Sequence, residues 1–349
     1  MAAMGETMDL PHRRPVPHRP DVAVLGAGAM GLVAAVTLCR AGLSVAVYER
    51  APDFAQSAAW RSGGMLAPEC EADGSEPVVV ELGRRSMALW PELLPDVSLQ
   101  GTLVVAPPRD PAALARFARQ TTHHQALDAA GIAALEPLLA DRFRQGLFFA
   151  SEGHLDPRRV MPALLAELRD GGVPVTFDWS GDPAALTASR IVDARGLGAR
   201  DRFPDLRGVK GEMALVRNPE ITLARPVRLL HHRYPLYVVP RADGVFMIGA
   251  TTVESDTAAT VTLRSAGELL TQAYTLHPAF GEAEVLEFNA GLRPAFPDNN
   301  PRIEVDGRTV AVNGLYRHGW LIAPALAADV AAMILADRTE DAHAHHDQR

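Results

Sequence analysis

The stretch Asp21-Val-Ala-Val-Leu-Gly26-Ala-Gly28-Ala-Met-Gly31 constrains the fold of this chain more than any other. Val22 to Leu25 read as a short buried strand that runs into a glycine turn and then an apolar helix from Met30 to about Ala41. Gly26 permits the tight turn, Gly28 lets the backbone approach a pyrophosphate, and Gly31 lets helix and strand pack closely. Free N–H groups of Ala29 and Met30 at the helix start, with the helix dipole behind them, form a site for phosphate oxygens. A second strand, Ser44 to Tyr48, ends on Glu49 and Arg50. That acid lies roughly 20 residues past the glycines, where a carboxylate accepts both ribose hydroxyls of an adenosine. A glycine triplet alone is weak evidence; strand, triplet, helix, strand and acid in register are strong.

A chain of 349 residues holds one large or two intimate domains with a sizeable core. Its formal charge of −8 supplies no basic surface for nucleic acid or anionic lipid, which favours small-molecule partners. The 2 cysteines, Cys39 and Cys70, form no metal or redox spacing, and reduced cytosolic thiols are expected. Residues 1–20 contain no apolar run and read as a disordered leader, neither signal peptide nor anchor. A polar, frayed tail is expected from about Arg338, with weak metal binding by His343, His345 and His346 as the alternative.

Between these ends, helices are expected over Val78–Leu93, Ala112–Arg119, Asp128–Leu135 and Arg158–Arg169, the last capped by Asp156-Pro157. Strands are expected at Thr102–Ala106, Arg144–Ala150, Val173–Phe177 and Ser189–Asp193. The last of these runs into Ala194-Arg195-Gly196, a second small-residue turn that belongs beside the first at the carboxyl ends of the strands. The loop Ser62-Gly63-Gly64-Met65-Leu66 suits close approach of backbone to a flat ligand. From Lys210 the pattern changes to β segments: Lys210–Val216, Val227–Leu230, Leu236–Val239, Val245–Ile248 and Glu284–Phe288. It then returns to a strand at Thr309–Val312 and a helix opened by Pro324, Ala325 to Ala336. The expectation is an α/β protein in which two domains thread through each other. A dinucleotide-binding domain takes 21–82, 150–208 and 290–338; an antiparallel-sheet α+β substrate domain takes 83–149 and 209–289; 339–349 form a flexible tail.

Seven landmarks in order carry a family resemblance: the Gly26–Gly31 turn with Glu49, Ser62-Gly-Gly-Met-Leu-Ala-Pro-Glu69, Val209-Lys-Gly-Glu212, Leu236-Tyr-Val-Val-Pro-Arg241, Gly249-Ala-Thr251, Ala290-Gly-Leu-Arg293-Pro294 and His318-Gly-Trp-Leu-Ile-Ala-Pro324. Together they resemble the D-amino-acid oxidase group of flavoproteins, and within it the glycine oxidases of thiamine biosynthesis. The resemblance implies a Rossmann-like FAD-binding domain of the glutathione-reductase type and non-covalent FAD. Gly26, Gly28, Ala29, Met30, Gly31, Glu49 and Arg50 would hold its adenosine end. Ser62, Gly63, Gly64, Met65 and Leu66 would lie along the flavin, with Ala194, Arg195 and Gly196 on the other side. His318, Gly319, Trp320, Leu321 and Ile322 would precede a helix start facing the flavin's pyrimidine edge, where N–H groups stabilise negative charge.

For the substrate, the resemblance implies that Arg293 and Tyr237 grip a carboxylate, with Arg317 near the pocket mouth and Thr252 and Met65 along its wall. A planar guanidinium takes a carboxylate by two parallel hydrogen bonds. From sequence, Arg293 is expected just after a strand ending at Ala290, with Pro294 fixing the chain. The implied reaction is oxidative deamination of glycine or a small D-amino acid by hydride transfer to flavin. It yields an imine, hence glyoxylate and ammonia, and oxygen takes the electrons to hydrogen peroxide. No metal, nucleic acid or membrane takes part. A cytoplasmic location is expected, and members of the group are often homo-oligomers, a state on which these residues are silent. Two positions depart from the pattern. Pro235 stands where better-known members carry His, and Thr252 where they carry Met; His231 and His232 lie nearby. D-amino-acid or sarcosine oxidation, transfer of electrons to another acceptor, a flavin hydroxylase and a regulatory module without turnover are the alternatives.

Overall fold

The computed structural model describes residues 19–95, 97–231, 235–257 and 260–346, with side chains to 338. The expected leader falls almost wholly outside the described residues, as do His232 and the last three residues of the tail.

Val22–Leu25 is buried on both faces, as four consecutive apolar residues require. It lies between two parallel neighbours, Val45–Tyr48 and Arg190–Asp193. Thr309–Asn313 extends the sheet in parallel beyond Arg190–Asp193, and Val175–Thr176 closes the other side. Arg302–Asp306 turns back as an antiparallel edge. This order places the ends of Leu25 and Asp193 side by side, so the two small-residue turns adjoin as expected. Gly26 has φ +96°, and a Cβ there would come within 2.6 Å of the Ala194 carbonyl oxygen. A Cβ at Gly31 would strike the Gly26 carbonyl, which is why helix Ala29–Arg40 can start so close to its strand.

The second sheet, nine-stranded among the described residues, is largely antiparallel. Its core strand Arg207–Arg217 pairs with Val245–Gly249 on one side and Glu284–Ala295 on the other. One parallel contact, Val227–Leu229 against Thr102–Val105, joins the mid-chain strands to those near residue 100. Helix Leu263–Leu276 is an addition to the expected elements. Thr262 Oγ1 caps it by accepting from Ser265 N at 3.2 Å, and Leu269, Ala273 and Leu276 form its buried stripe. The short strand Gln125–Asp128 is a second addition.

Three expectations change. Strand Glu284–Ala295 runs past Ala290, so Gly291, Arg293 and Pro294 lie inside it, Arg293 opposite Val209 and Pro294 opposite Gly208. Pro294 is tolerated on this outer strand, where a missing N–H removes little of the ladder. Pro324 does not open the last helix but lies inside Gly319–His346. Proline removes the hydrogen bond owed to the carbonyl four residues back, that of Trp320, and Trp90 Nε1 donates to this carbonyl instead at 3.2 Å. The same helix continues through the stretch expected to fray, because nothing between Ala336 and His346 is a glycine or proline.

The last helix is long and apolar enough to cross a bilayer, but its apolar side packs in the same buried cluster as Ala29–Arg40 and Pro77–Leu93. The Trp90 and Trp320 rings meet there with centroids 6.0 Å apart. The expected division at 82/83 falls inside helix Pro77–Leu93, whose Val79, Leu82, Trp90 and Leu93 belong to that cluster.

Candidate active site

A cavity of about 960 Å³ runs from the glycine turns to the antiparallel sheet. This is near the upper end for small-molecule sites, roughly 300–1,000 Å³. At one end lie Gly26, Gly28, Ala29 and Met30 with Glu49 and Arg50. Gly28 caps the helix without a side chain, so no side chain fills the phosphate-sized space at the helix start. A Cβ there would meet nothing nearer than Ser57 Oγ at 3.9 Å, so the open space, and not a backbone clash, is what glycine preserves. Glu49 is oriented by two backbone donors: Oε2 accepts from Ala27 N at 2.6 Å and Oε1 from Ala51 N at 2.8 Å. Each oxygen keeps a further lone pair for a hydroxyl donor.

Along the middle lie Ser62, Gly63, Gly64 and Met65 on one wall and Ala194, Arg195 and Gly196 on the other. The Ser62 hydroxyl is engaged within its own turn, donating to Ala59 O at 2.7 Å. The Arg195 side chain turns to Asp193, with Nε–Oδ1 at 2.9 Å and Nη2–Oδ2 at 2.7 Å. Its contribution to the turn is therefore backbone, and its charge is already paired. The glycine loop is held by Arg241, the last residue of the landmark Leu236–Arg241, whose largely buried side chain was given no role from the sequence. Arg241 donates to Gly63 O and to Leu155 O, both at 2.7 Å. Gly64, at φ +67°, in turn accepts from Leu155 N at 2.9 Å.

At the far end lie Arg293, Tyr237, Thr252 and Arg317, with Gly319 and Trp320 from the start of the last helix. The Arg293 guanidinium lies on Gly211, in the space that a Cβ at 211 would need. Its Nη1 donates to Thr251 O at 3.0 Å, and no carboxylate among the described residues forms a salt bridge with it. Burial draws its pKa down to about 10, with Tyr316 raising it in part. Such a cation gains strongly from an incoming anion. Arg317, by contrast, is neutralised: Nη2 lies 2.8 Å from Glu71 Oε2. Burial holds the Tyr237 phenol well above its usual range, so it is a neutral donor.

Five expected cofactor residues lie behind the wall and not on it. Gly31 serves helix packing, while Leu66, Leu321 and Ile322 are buried in the core. The His318 ring is buried between Ser75 and Glu71, with Nε2 3.2 Å from Ser75 Oγ, and burial lowers its pKa to about 4. Helix periodicity turns these side chains away because the helix begins at Gly319, so only Gly319 and Trp320 of that run line the cavity.

The sequence reading also missed Glu71, Tyr316 and Arg228, all of which line the cavity. Arg228 carried a signal: a charge between Val227 and Leu229, inside an apolar strand, must find partners when the strand is buried. Tyr316 sits at φ +49°, a conformation uncommon outside glycine.

The chain matches the family model for DAO, FAD dependent oxidoreductase, over residues 21–333. It is 49% identical over 318 residues to a putative thiamine biosynthesis oxidoreductase, ThiO, of Rhizobium etli, covering 91% of this chain and 97% of that one. It is 26% identical to the glycine oxidase of Bacillus licheniformis, covering 91% and 94%. The crystal structure of glycine oxidase from Geobacillus kaustophilus superposes with a TM-score of 0.77 at 24% identity, covering 93% and 95%.

Proposed function

Because the chain belongs to the DAO family of FAD-dependent oxidoreductases, we propose that it oxidises glycine, or a comparably small amino acid, with oxygen as the electron acceptor, in the service of thiamine biosynthesis. The relatives of that name and activity, matched over nearly the full chain, support the reading. The observation that carries it is Arg293, a cation lining the same cavity as Tyr237 and Thr252, with one hydrogen bond, to the Thr251 carbonyl, and no carboxylate partner among the described residues. FAD, when bound, supplies the two-electron chemistry.

The residues of the chain supply position. The glycine turn with Glu49 and Arg50 is suited to the adenosine diphosphate, and Ser62 to Met65 to the flat ring. Arg293 takes the substrate carboxylate with a bidentate grip and Tyr237 donates to it, which directs the α-carbon along the cavity. The start of helix Gly319–His346 lines the cavity with Gly319 and Trp320, where the positive end of the helix dipole favours developing negative charge. The Arg317–Glu71 pair closes on itself, which leaves Arg293 to read a single carboxylate. Such a site asks for no acid–base side chain. Pro235 and Thr252 on the cavity wall bring no charge that would compete with Arg293 for the carboxylate. The free thiols Cys39 and Cys70 fit a cytoplasmic location.

Anaerobic mixing of the yellow holoenzyme with glycine tests the reading. Bleaching of the flavin band, and peroxide on readmission of air, are the expected results. Bleaching only with D-alanine, D-proline or sarcosine would shift the substrate. No bleaching across that panel would overturn the oxidase reading.

A further inference from the structure

Arg228 and Tyr237 face each other across the antiparallel pair Val227–Leu229 and Leu236–Pro240, and both line the cavity. Arg228 Nη1 donates to the Tyr237 hydroxyl and to Cys70 O, each at 2.9 Å. Its Nη2 reaches Asp73 Oδ2 at 3.3 Å. The guanidinium lies 4.7 Å from the Phe117 ring centroid and 5.2 Å from that of Tyr237. It is buried and held on four sides, with only Nε left without a partner among the described residues.

A phenol oxygen that accepts from a fixed guanidinium cannot point its own proton at that group. The proton must turn the other way. For Tyr237 that leaves the cavity, where Arg293 also lies. Arg228 offers no open edge to a substrate: both Nη1 hydrogens are committed, and Nε, on the other edge, is buried out of reach of the cavity. We propose that Arg228 is a positioning residue for the substrate carboxylate. It keeps the Tyr237 hydroxyl oriented as a donor into the cavity, and the backbone of Cys70 with the Asp73 carboxylate holds Arg228 in place. This rests on the carboxylate-binding role proposed above for Tyr237 and extends it to the residue that orients the phenol.

A double-mutant cycle tests it, with acetate as a carboxylate probe that cannot be oxidised. Binding is followed by perturbation of the visible flavin spectrum of the holoenzyme. Tyr237→Phe and Arg228→Lys are each expected to raise the acetate Kd about 10-fold, and the double variant about 10-fold as well, since both remove one interaction. Asp73→Asn, a milder change at a partly exposed partner, is expected to raise Kd roughly 2- to 5-fold in the parent and not at all in the Tyr237→Phe background. This arm stands if Arg228→Lys fails to fold. Additive effects, near 100-fold in the double variant, would make Arg228 an independent structural element and overturn the proposal. An unchanged Kd in Arg228→Lys, or no binding of acetate by the parent, would also overturn it. The glycine-bleaching experiment judges the oxidase reading separately, so a bleaching enzyme with an additive cycle loses only the Arg228 assignment.

Discussion

Gly211 and Arg293 sit on adjacent antiparallel strands, and the guanidinium of one lies in the space the other would need for a Cβ. The glycine in Val209-Lys-Gly-Glu212 is therefore a seat for the Arg293 guanidinium and not a turn residue. Gly211→Ala is expected to fold, because the atoms displaced are the mobile end of a long side chain. It should nonetheless weaken acetate or glycine binding about 10-fold by tilting the fork. Arg293→Ala removes a charge-assisted contact of roughly 1.5–3 kcal/mol and should raise the apparent substrate constant about 10- to 100-fold while flavin stays bound. Steady-state kinetics with flavin content measured alongside separates the two effects. An unchanged constant in Arg293→Ala would remove that residue from the clamp.

Two neighbouring glycines should behave differently. Gly28→Ala meets only open space, so the apoprotein should lose no more than about 1 kcal/mol, the cost of alanine in place of glycine at an N-cap. Flavin affinity should fall, since the methyl takes the room of the pyrophosphate. Gly26→Ala forces a Cβ on to the Ala194 carbonyl at φ +96° and should cost the fold itself. Melting curves of apo and flavin-loaded forms distinguish these outcomes, and full flavin retention by Gly28→Ala would move the pyrophosphate elsewhere.

The carbonyl of Gly63 depends on Arg241, whose fork spans Gly63 O and Leu155 O. Lysine cannot reach both in one plane. Arg241→Lys is expected to lower stability by about 1–3 kcal/mol and to hasten flavin loss in mild urea, while the substrate constant of the still-loaded fraction stays near the parent value. A parent-like rate of flavin release would show that the loop holds its shape unaided.

Burial raises the Glu152 carboxyl from 4.5 to about 7. Its Oε1 accepts from Cys70 N at 2.7 Å, and its Oε2 has no partner among the described residues. A raised acid binds its proton more tightly in the folded state, so its contribution is greatest below about pH 4.5 and is lost as pH rises through about 7. The size is on the order of 3 kcal/mol. His154 and His318, both lowered to about 4 by burial, act in the opposite sense between about pH 4 and 6.5. They are common to parent and Glu152→Gln, so the difference between the two isolates Glu152. Denaturant melts at pH 4.5 and 8 should show the parent losing stability relative to Glu152→Gln as pH rises. Parallel curves would mean that the carboxyl ionises normally.

Much of the site was legible in the sequence. The glycine turn, Glu49 and the second turn at Ala194 are local motifs, readable because a backbone conformation leaves few alternatives; Arg293 and Tyr237 were pointed to by the family resemblance, since an isolated arginine or a strand tyrosine has many other uses. What escaped was of another kind. Arg228, Glu71 and Arg241 owe their roles to partners far along the chain: Cys70, Arg317 and Gly63. His318, Leu321 and Ile322 carry the right motif but turn inward, because the helix begins at Gly319 and its packing against Ala29–Arg40 and Pro77–Leu93 sets the phase.

The order of residues by itself determined the dinucleotide turn, the alternation of two sheet types and the chemistry available at one cavity, since these follow from short-range sterics and side-chain character. Only the tertiary structure decided which charges are already neutralised and which are left for a ligand. Ion pairs such as Arg317–Glu71 and Arg195–Asp193 depend on how distant or folded-back segments meet, and burial makes it matter that Arg293 has no such partner among the described residues.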